Sequence, residues 1–192
     1  GARAAGVSSP VVALPAACEP ARLAYERRRL SRAGAVRWLD EHGALPALLD
    51  ALFALHGARW RARGEPGMLA APGLEGFHRD AAAALHARGL ARVIGLEVDG
   101  RVVAVLYGFA DHGRFLFYLS GFDPGLARLA PGRLAIGRAF ERATDEGCVE
   151  LDFLRGREPY KYEWGAVDRE GLAIRVALEE DGCSRSAGPS AT

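Results

Sequence analysis

Lysine is almost missing from this chain: Lys161 is the only one, and arginine supplies the rest of the 25 basic residues that face 24 acidic ones. The arginine bias fits a high-GC genome. The lone ammonium is therefore either a compositional accident or a position that needs a compact, titratable charge, which arginine does not offer. Cysteine is also scarce. Cys18, Cys148 and Cys183 are odd in number, far apart and without metal-ligand spacing. That pattern argues against a disulfide framework and a metal centre, points to a reducing compartment and leaves the thiols as inert small hydrophobes. No apolar run approaches the roughly 18 residues of a membrane helix, and the start has no n-region and h-region of signal type, so the expected location is the cytoplasm, without membrane insertion. Excess charge of one sign is absent too. With a formal charge of +1 and arginine dispersed among Glu and Asp, a nucleic-acid partner is not expected. An initiator Met is missing, which suggests a fragment or a processed chain.

What the chain does have is enough apolar content, 49% of 192 residues, for one core. Residues 1–20, rich in Ala, Gly, Ser and Pro, read as a linker or a strand remnant, and 21–30 as a short Arg- and Glu-rich helix, so that 1–30 is a lead segment. Residues 35–39 are a short strand candidate. Leu48, Leu49, Leu52, Phe53, Leu55 and His56 recur at helical spacing and predict a helix over 45–63, with Pro46 in its first turn and Gly64 as its end. A second helix is predicted over 73–88, with Leu74, Phe77, Ala81 and Leu85 on one face and Gly89 as its stop. Strands over 91–98, 101–110 and 114–122 follow, joined by Asp99-Gly100 and Asp111-His112-Gly113, as an antiparallel meander. A helix over 133–146, a strand over 149–154, a short helical piece over 159–164 and a strand over 172–178 complete a domain of residues 31–180. Residues 181–192 read as a disordered tail.

Two segments carry chemistry. The apolar run 149–154, bracketed by Gly147 and Gly156, reads as a buried strand that delivers Asp152, Arg155, Tyr160, Lys161 and Tyr162 to a loop at its carboxyl end, where ligand sites of open α/β sheets lie. A buried Asp152 wants a charged partner, with Arg155 and Lys161 the candidates, and that structural pairing stands beside a catalytic role. The second segment is Ala130-Pro131-Gly132-Arg133-Leu134, between a strand and a helix. The first amides of that helix lack intrahelical acceptors and can cradle an anion such as a diphosphate, with Arg133 nearby. Its glycine spacing matches neither a Walker loop nor a dinucleotide fingerprint. His56, Arg59 and Trp60 share one turn of the first long helix and read either as a packing face or as the wall of a substrate cleft.

The order of elements, with a Pro-Gly turn opening the helix after the meander, resembles the GNAT acyltransferase fold. More narrowly, His56-Gly57-Ala58-Arg59-Trp60, Ser120-Gly121-Phe122-Asp123, Ala130 to Leu134, and Asp152 to Gly156 with Tyr160-Lys161 are similar to the bacterial CelD/BcsL-like GNAT family, related to the Fem aminoacyl transferases with their duplicated GNAT-like halves. The likeness covers roughly residues 35–180. It implies an α/β (α+β) fold with a mixed, mainly antiparallel central sheet flanked by helices on both faces, and a GNAT-like half-domain upstream as a partner.

It also implies transfer of an acyl group from acetyl-CoA or another acyl-CoA to an amine or hydroxyl of a small-molecule acceptor, such as a sugar or polysaccharide precursor. On this reading Pro131, Gly132, Arg133 and Leu134 hold the co-substrate, while His56, Arg59, Trp60 and Arg155 meet the acceptor. Tyr160, Lys161 and Asp152 form the catalytic group. Tyr160 or Tyr162 would protonate the leaving thiolate, and Asp152, Glu97 or His56 would take the nucleophile's proton. Two alternatives stay open: a Fem-like transferase that uses aminoacyl-tRNA, and a catalytically silent half-domain that serves as a binding module.

Overall fold

A seven-stranded sheet forms the centre of the fold, in the order β2-β3-β4-β5-β6-β1-β7. Its strands are β1 Ala2–Ala13, β2 Val36–Asp40, β3 Ala91–Val98, β4 Arg101–Asp111, β5 Arg114–Phe122, β6 Glu150–Asp152 and β7 Val167–Val176. The structure is a computed structural model that describes residues 2–15, 21–62 and 64–176. All neighbouring strands are antiparallel except β5 and β6, which run parallel. Helices α1 Ala21–Ser31 and α4 Pro131–Asp145 cover one face, and α2 Glu41–Arg61 and α3 Leu74–Ala87 the other. A short helix, α5 Pro159–Tyr162, follows β6.

Each face has its own apolar cluster. Leu23 and Leu30 of α1 and Leu134, Ile136 and Phe140 of α4 meet Leu106, Phe115, Phe117 and Phe153. Leu48, Leu49, Leu52 and Phe53 of α2 meet Val93, Val105, Tyr107 and Leu119 on the opposite side. A bulge in β5 assigns its side chains between the two. Leu119 stands opposite Tyr107 and Phe117 opposite Gly108, which leaves Tyr118 as the extra residue. A bulge of this kind re-aims the strand. Phe115 and Phe117 therefore face α4, whereas Tyr118 and Leu119 both face α2.

Glycine sets how closely α2 lies on the sheet. A Cβ at Gly121 would stand 2.6 Å from the backbone nitrogen of His56 and 2.9 Å from Leu55 Cβ, and one at Gly95 would collide with Leu48. A side chain at either point would lift the helix and with it the end that carries His56.

Several expectations shift. Of the two readings of the lead segment, the described part shows the strand: residues 2–13 pair with β6 and β7, and α1, the short helix expected over 21–30, packs on α4. Its small residues did not decide between strand and linker because they lack a polar and apolar alternation. Helix α2 begins at Glu41 rather than at residue 45, capped by Asp40, whose carboxylate accepts from His42 N at 3.1 Å. Pro46 thus lies inside the helix rather than in its first turn. On α3 the buried positions are His78 and Ala82, while Phe77 is 62% exposed. Strand β6 is shorter than the predicted 149–154, and Val149 is exposed. Strand β7 starts at Val167, before the predicted Leu172. The expected tail over 181–192 lies outside the described residues, as do Cys18 and Cys183, and Cys148 is buried.

One buried ion pair joins the two helical layers. The Glu41 side chain is fully enclosed; it accepts from Val93 N at 3.0 Å and from both terminal nitrogens of Arg142 on α4. Burial pushes the Glu41 carboxyl up, but Arg142 and the Val93 amide outweigh it and hold the group below its ordinary value. The stability it contributes is present above its unfolded-state pKa and is lost as pH falls through the depressed folded value. Arg142→Met removes the counter-charge and should cost about 3–5 kcal/mol at neutral pH. With burial unopposed the Glu41 pKa would rise, so the protonated form becomes the tolerated one and the deficit should shrink as pH falls. Urea unfolding at pH 7.5 and pH 5 checks this; an equal deficit at both would mean that Glu41 had found another partner.

Candidate active site

Strands β5 and β6 pair only from Arg114–Glu150 to Leu116–Asp152. Beyond that point β6 ends, while β5 continues to Phe122 and the chain from Asp152 leads through a loop to α5. The sheet is thus split at the carboxyl ends of its two parallel strands, the place where open sheets present ligands.

Two cavities meet at the split and share Arg59, Ser120 and Tyr160 in their walls. One, about 230 Å³, lies on the α4 side among Phe122, Ala130, Pro131, Gly132, Arg133 and Trp164. The other, about 820 Å³, lies on the α2 side and adds His56, Trp60, Glu65, Tyr118 and Glu158. A separate depression of about 390 Å³ between α1 and α4 contains none of the split's shared residues.

The smaller cavity ends on the first turn of α4. Ala130 is left-handed with φ 54° and caps the helix without a side-chain bond, and Leu134 N is the first amide to bond back, to Ala130 O at 3.1 Å. Pro131 has no amide hydrogen, so the N–H groups of Gly132 and Arg133 have no intrahelical acceptor. Gly132 is required for packing as well: a Cβ there would stand 2.8 Å from the Phe122 ring. The Arg133 guanidinium turns aside from the amides. It is paired with Glu163, lies 3.4 Å from Glu26 and sits 5.5 Å over the Trp164 ring. A second cation in the wall of this cavity is Arg59, held 5.0 Å over the ring of Phe122. Leu134 is buried beneath the turn and supports it from the core.

In the larger cavity His56 is 5% exposed. Its Nδ1 lies 3.1 Å from Ser120 O, and since a carbonyl only accepts, Nδ1 carries the hydrogen. The neutral ring then presents a lone pair at Nε2, which is buried and has no hydrogen-bond partner. Burial lowers the His56 pKa, the nearby Arg59 adds to the effect, and the Ser120 carbonyl only partly opposes them. The ring also stands 5.8 Å from that of Trp60. Tyr160 faces both cavities; burial and then Glu158 push its phenol up to about 12, with Arg59 acting against them. Tyr162 points elsewhere, donating to Asp168 at 2.8 Å.

Other expected site residues are bonded to partners or lie apart from the cavities. Asp152 is buried, but its partners are Arg114 at 2.8 Å, Arg169 at 2.6 Å and Leu154 N at 2.8 Å, neither Arg155 nor Lys161. Glu97 lies on β3 beside β2, where it holds Arg37 with two bonds of 2.9 Å, across the sheet from the split. The Arg155 side chain is exposed and lines neither cavity. The Lys161 ammonium, 3% exposed, donates to the carbonyls of Phe153, Arg155 and Gly156 at 2.9–3.1 Å and meets Glu158 at 2.8 Å. It pins the loop that presents Tyr160. Glu65 and Tyr118, by contrast, had no sequence signal and both face the larger cavity.

Glu41, His42 and His86 bring ligand atoms within 4.8 Å of one another. Both Glu41 oxygens are already bonded to Arg142, whose charge opposes a second cation there.

The model of a family described as acetyltransferase (GNAT) domain matches residues 20–162. The chain belongs to this GNAT family. No curated protein matches it. Among solved structures, this GNAT chain is similar to the C-terminal domain of a protein described as a lysylphosphatidylglycerol synthetase from Agrobacterium fabrum, with TM-score 0.64 and 15% identity over 91% of this chain and 61% of that one. L-PGS from Bacillus licheniformis gives 0.62 and 13% over 91% and 62%. FemX gives 0.65 and 9% over 84% and 59%. The chain thus spans about three fifths of the length of these structures. At such identities the likeness establishes the fold. No helix among the described residues is long and apolar enough to cross a membrane.

The place of Lys161 yields a direct test. Lys161→Met leaves three loop carbonyls without their donor and should lower stability by about 3 kcal/mol. Urea unfolding measures it; full stability with lost turnover would instead assign Lys161 to the chemistry.

Proposed function

We propose that this GNAT domain, of the CelD/BcsL-like type, transfers an acyl group from acyl-CoA to an amine or hydroxyl of a small molecule in the cytoplasm, with a sugar or polysaccharide precursor as the leading class. The observation that carries the reading is the split between β5 and β6. There a helix start with free amides, and Arg59 beside it, opens into the same space as an imidazole whose Nε2 has no partner and a protonated phenol.

The free amides of Gly132 and Arg133 and the Arg59 guanidinium fit a diphosphate, and Phe122 and Ile136 give the cavity an apolar wall. His56 Nε2 takes the proton of the attacking nitrogen or oxygen as that atom bonds to the thioester carbonyl carbon. The carbon–sulfur bond then breaks, and the Tyr160 hydroxyl gives its proton to the departing sulfur. Imidazolium and phenolate are reset by proton exchange with solvent. A phenol titrating at about 12 stays protonated at neutral pH, and a histidine titrating below its usual value stays neutral; each is in the state its role needs.

The engagement of Arg133 with Glu163 and Glu26 favours keeping a second donor in view, because it leaves the helix start with less positive charge than a diphosphate would draw on. The Fem-like reading, with aminoacyl-tRNA as donor, is that second reading, and it accords with the names of the solved neighbours. In either case a GNAT-like half preceding this one is a proposed partner.

Calorimetric titration with acetyl-CoA separates them. Saturable binding that Arg59→Met weakens about tenfold supports the acyl-CoA reading; no binding to a folded chain favours the tRNA donor or a silent half. Gly132 variants are less informative, since any side chain there also strikes Phe122. Tyr160→Phe and His56→Ala should each lower kcat by about 100-fold with donor affinity unchanged, while Tyr162→Phe should leave turnover intact. The kcat profile should rise with pH along one limb below the usual histidine range and show no decline from Tyr160 before about pH 10. Equal losses at Tyr160 and Tyr162 would contradict the assignment.

A further inference from the structure

The larger cavity is asymmetric in charge along its depth. Its inner end holds the buried His56, whose Nε2 has no partner, together with Ser120 and Tyr160. Its mouth holds two exposed carboxylates, Glu65 and Glu158, and the rings of Trp60 and Tyr118 stand in the same walls. The turn after α2 fixes this geometry. Glu65 N bonds to Trp60 O at 3.0 Å, and Gly67, with φ 77°, passes so close to the Trp60 ring that a Cβ there would lie 2.8 Å from it. Glu158 is partly neutralised by Lys161 at 2.8 Å, whereas Glu65 has no ion-pair partner among the described residues. Arg59 is the cation in the wall, and its guanidinium lies over Phe122 at the neck shared with the smaller cavity.

A nitrogen must be uncharged when it attacks a thioester, and the proton it sheds as the new bond forms goes to His56 at the inner end of the cavity. The carboxylates at the mouth therefore suit a charge that persists throughout the reaction. We infer that the acceptor carries a second, permanently cationic group besides its nucleophile, an aliphatic diamine in its simplest form, and that Glu65 selects it with the faces of Trp60 and Tyr118. This rests on the acceptor side of the function proposed above and extends it: Glu65 determines specificity without touching the reacting atoms. Within the sugar class named above this selects an amino sugar with a second amine, since a neutral one would leave Glu65 with nothing to bind but water.

The probes are 1,4-diaminobutane, 1-aminobutane and 4-amino-1-butanol, titrated calorimetrically into the full chain at low salt. The diamine should bind about tenfold more tightly than either monocation, a margin that Glu65→Gln removes and added salt reduces. In thiol-release assays with acetyl-CoA, Glu65→Gln should raise KM for the diamine about tenfold with a much smaller change in kcat, while KM for 1-aminobutane stays where it was. Asp50→Asn, on the exposed flank of α2, is the control for a general loss of surface charge. Thermal unfolding establishes that each variant is folded.

Equal affinity for the diamine and the monocations overturns the inference, as does a preference for the diamine that survives Glu65→Gln. Binding of the diamine that depends on Glu65, without any binding of acetyl-CoA, retains the inference and removes the acyl-CoA donor. Binding of acetyl-CoA without discrimination among the amines does the reverse.

Discussion

The early end of β6 governs this molecule's site. Parallel pairing covers only the first residues of β5, so the backbone from Phe117 to Phe122 has no strand on one side. In a sheet interior that is costly, because strand amides and carbonyls left dry and unpaired each lose a hydrogen bond. Here the outrun part of β5 is bordered by helices and by space. The Ser120 carbonyl takes a bond from His56, and the shared cavities occupy the rest. The same vacancy that would weaken a structural sheet makes room for a ligand. It also fixes a tautomer, since the carbonyl that needs a donor obliges Nδ1 to be one.

Around that split the charged residues divide by what they already hold. Asp152 is a buried carboxylate bonded to two arginines and an amide, and Lys161 is a buried ammonium bonded to three carbonyls. Both are close to satisfied, and a satisfied buried ion is a poor reagent because any transfer would have to break its pairs. Between them they brace the two ends of the segment that carries Tyr160: Asp152 at the strand exit, and Lys161 from within α5 back to the loop. Arg133, folded against Glu163 and Trp164, serves the outer wall in the same way. His56 at Nε2 and Glu65 have no such partner among the described residues.

Much of this architecture was legible in the order of residues, for stated reasons. The meander from Ala91 to Phe122 declared itself through Asp99-Gly100 and Asp111-His112-Gly113, where the non-glycine residues Asp99 and His112 take positive φ of 49° and 48° beside a glycine. The turn at Pro131-Gly132 was legible as the opening of a helix because proline fixes it locally, although the helix begins at Pro131 itself rather than at the expected residue 133. What stayed hidden depends on distant partners. Residues 2–13 form a strand because β6 and β7 supply their bonds, not because of their own pattern. Asp152 was expected to pair with nearby Arg155 or Lys161, but its arginines come from β5 and β7. The bulge at Tyr118 changes which side of the sheet half a strand addresses, and no local signal marks it, so Tyr118 could not be placed in the cavity beforehand. Phe77, expected on the packed face, is exposed and His78 is buried, because α3 meets α2 along a line set by tertiary packing rather than by its most apolar stripe.

Two buried polar groups show how such a site differs from its scaffold. Glu41 and His56 lie on the same helix, both almost wholly enclosed, at 2% and 5% exposure. Glu41 has an acceptor bond from Val93 and two from Arg142, and it couples α2 to α4. His56 has one bond, to Ser120, and a second nitrogen with none. A buried, unpaired imidazole nitrogen costs about 1–3 kcal/mol, and folding alone gives no reason to keep it, since an apolar residue of similar size would pack without that cost. A helix that satisfies one buried polar group three times over and leaves another half satisfied, at the inner end of a cavity, holds back the lone pair that the proposed reaction calls for. On the proposed mechanism that cost in stability keeps Nε2 ready to accept a proton, and the close seat of α2 on Gly121 keeps it in place.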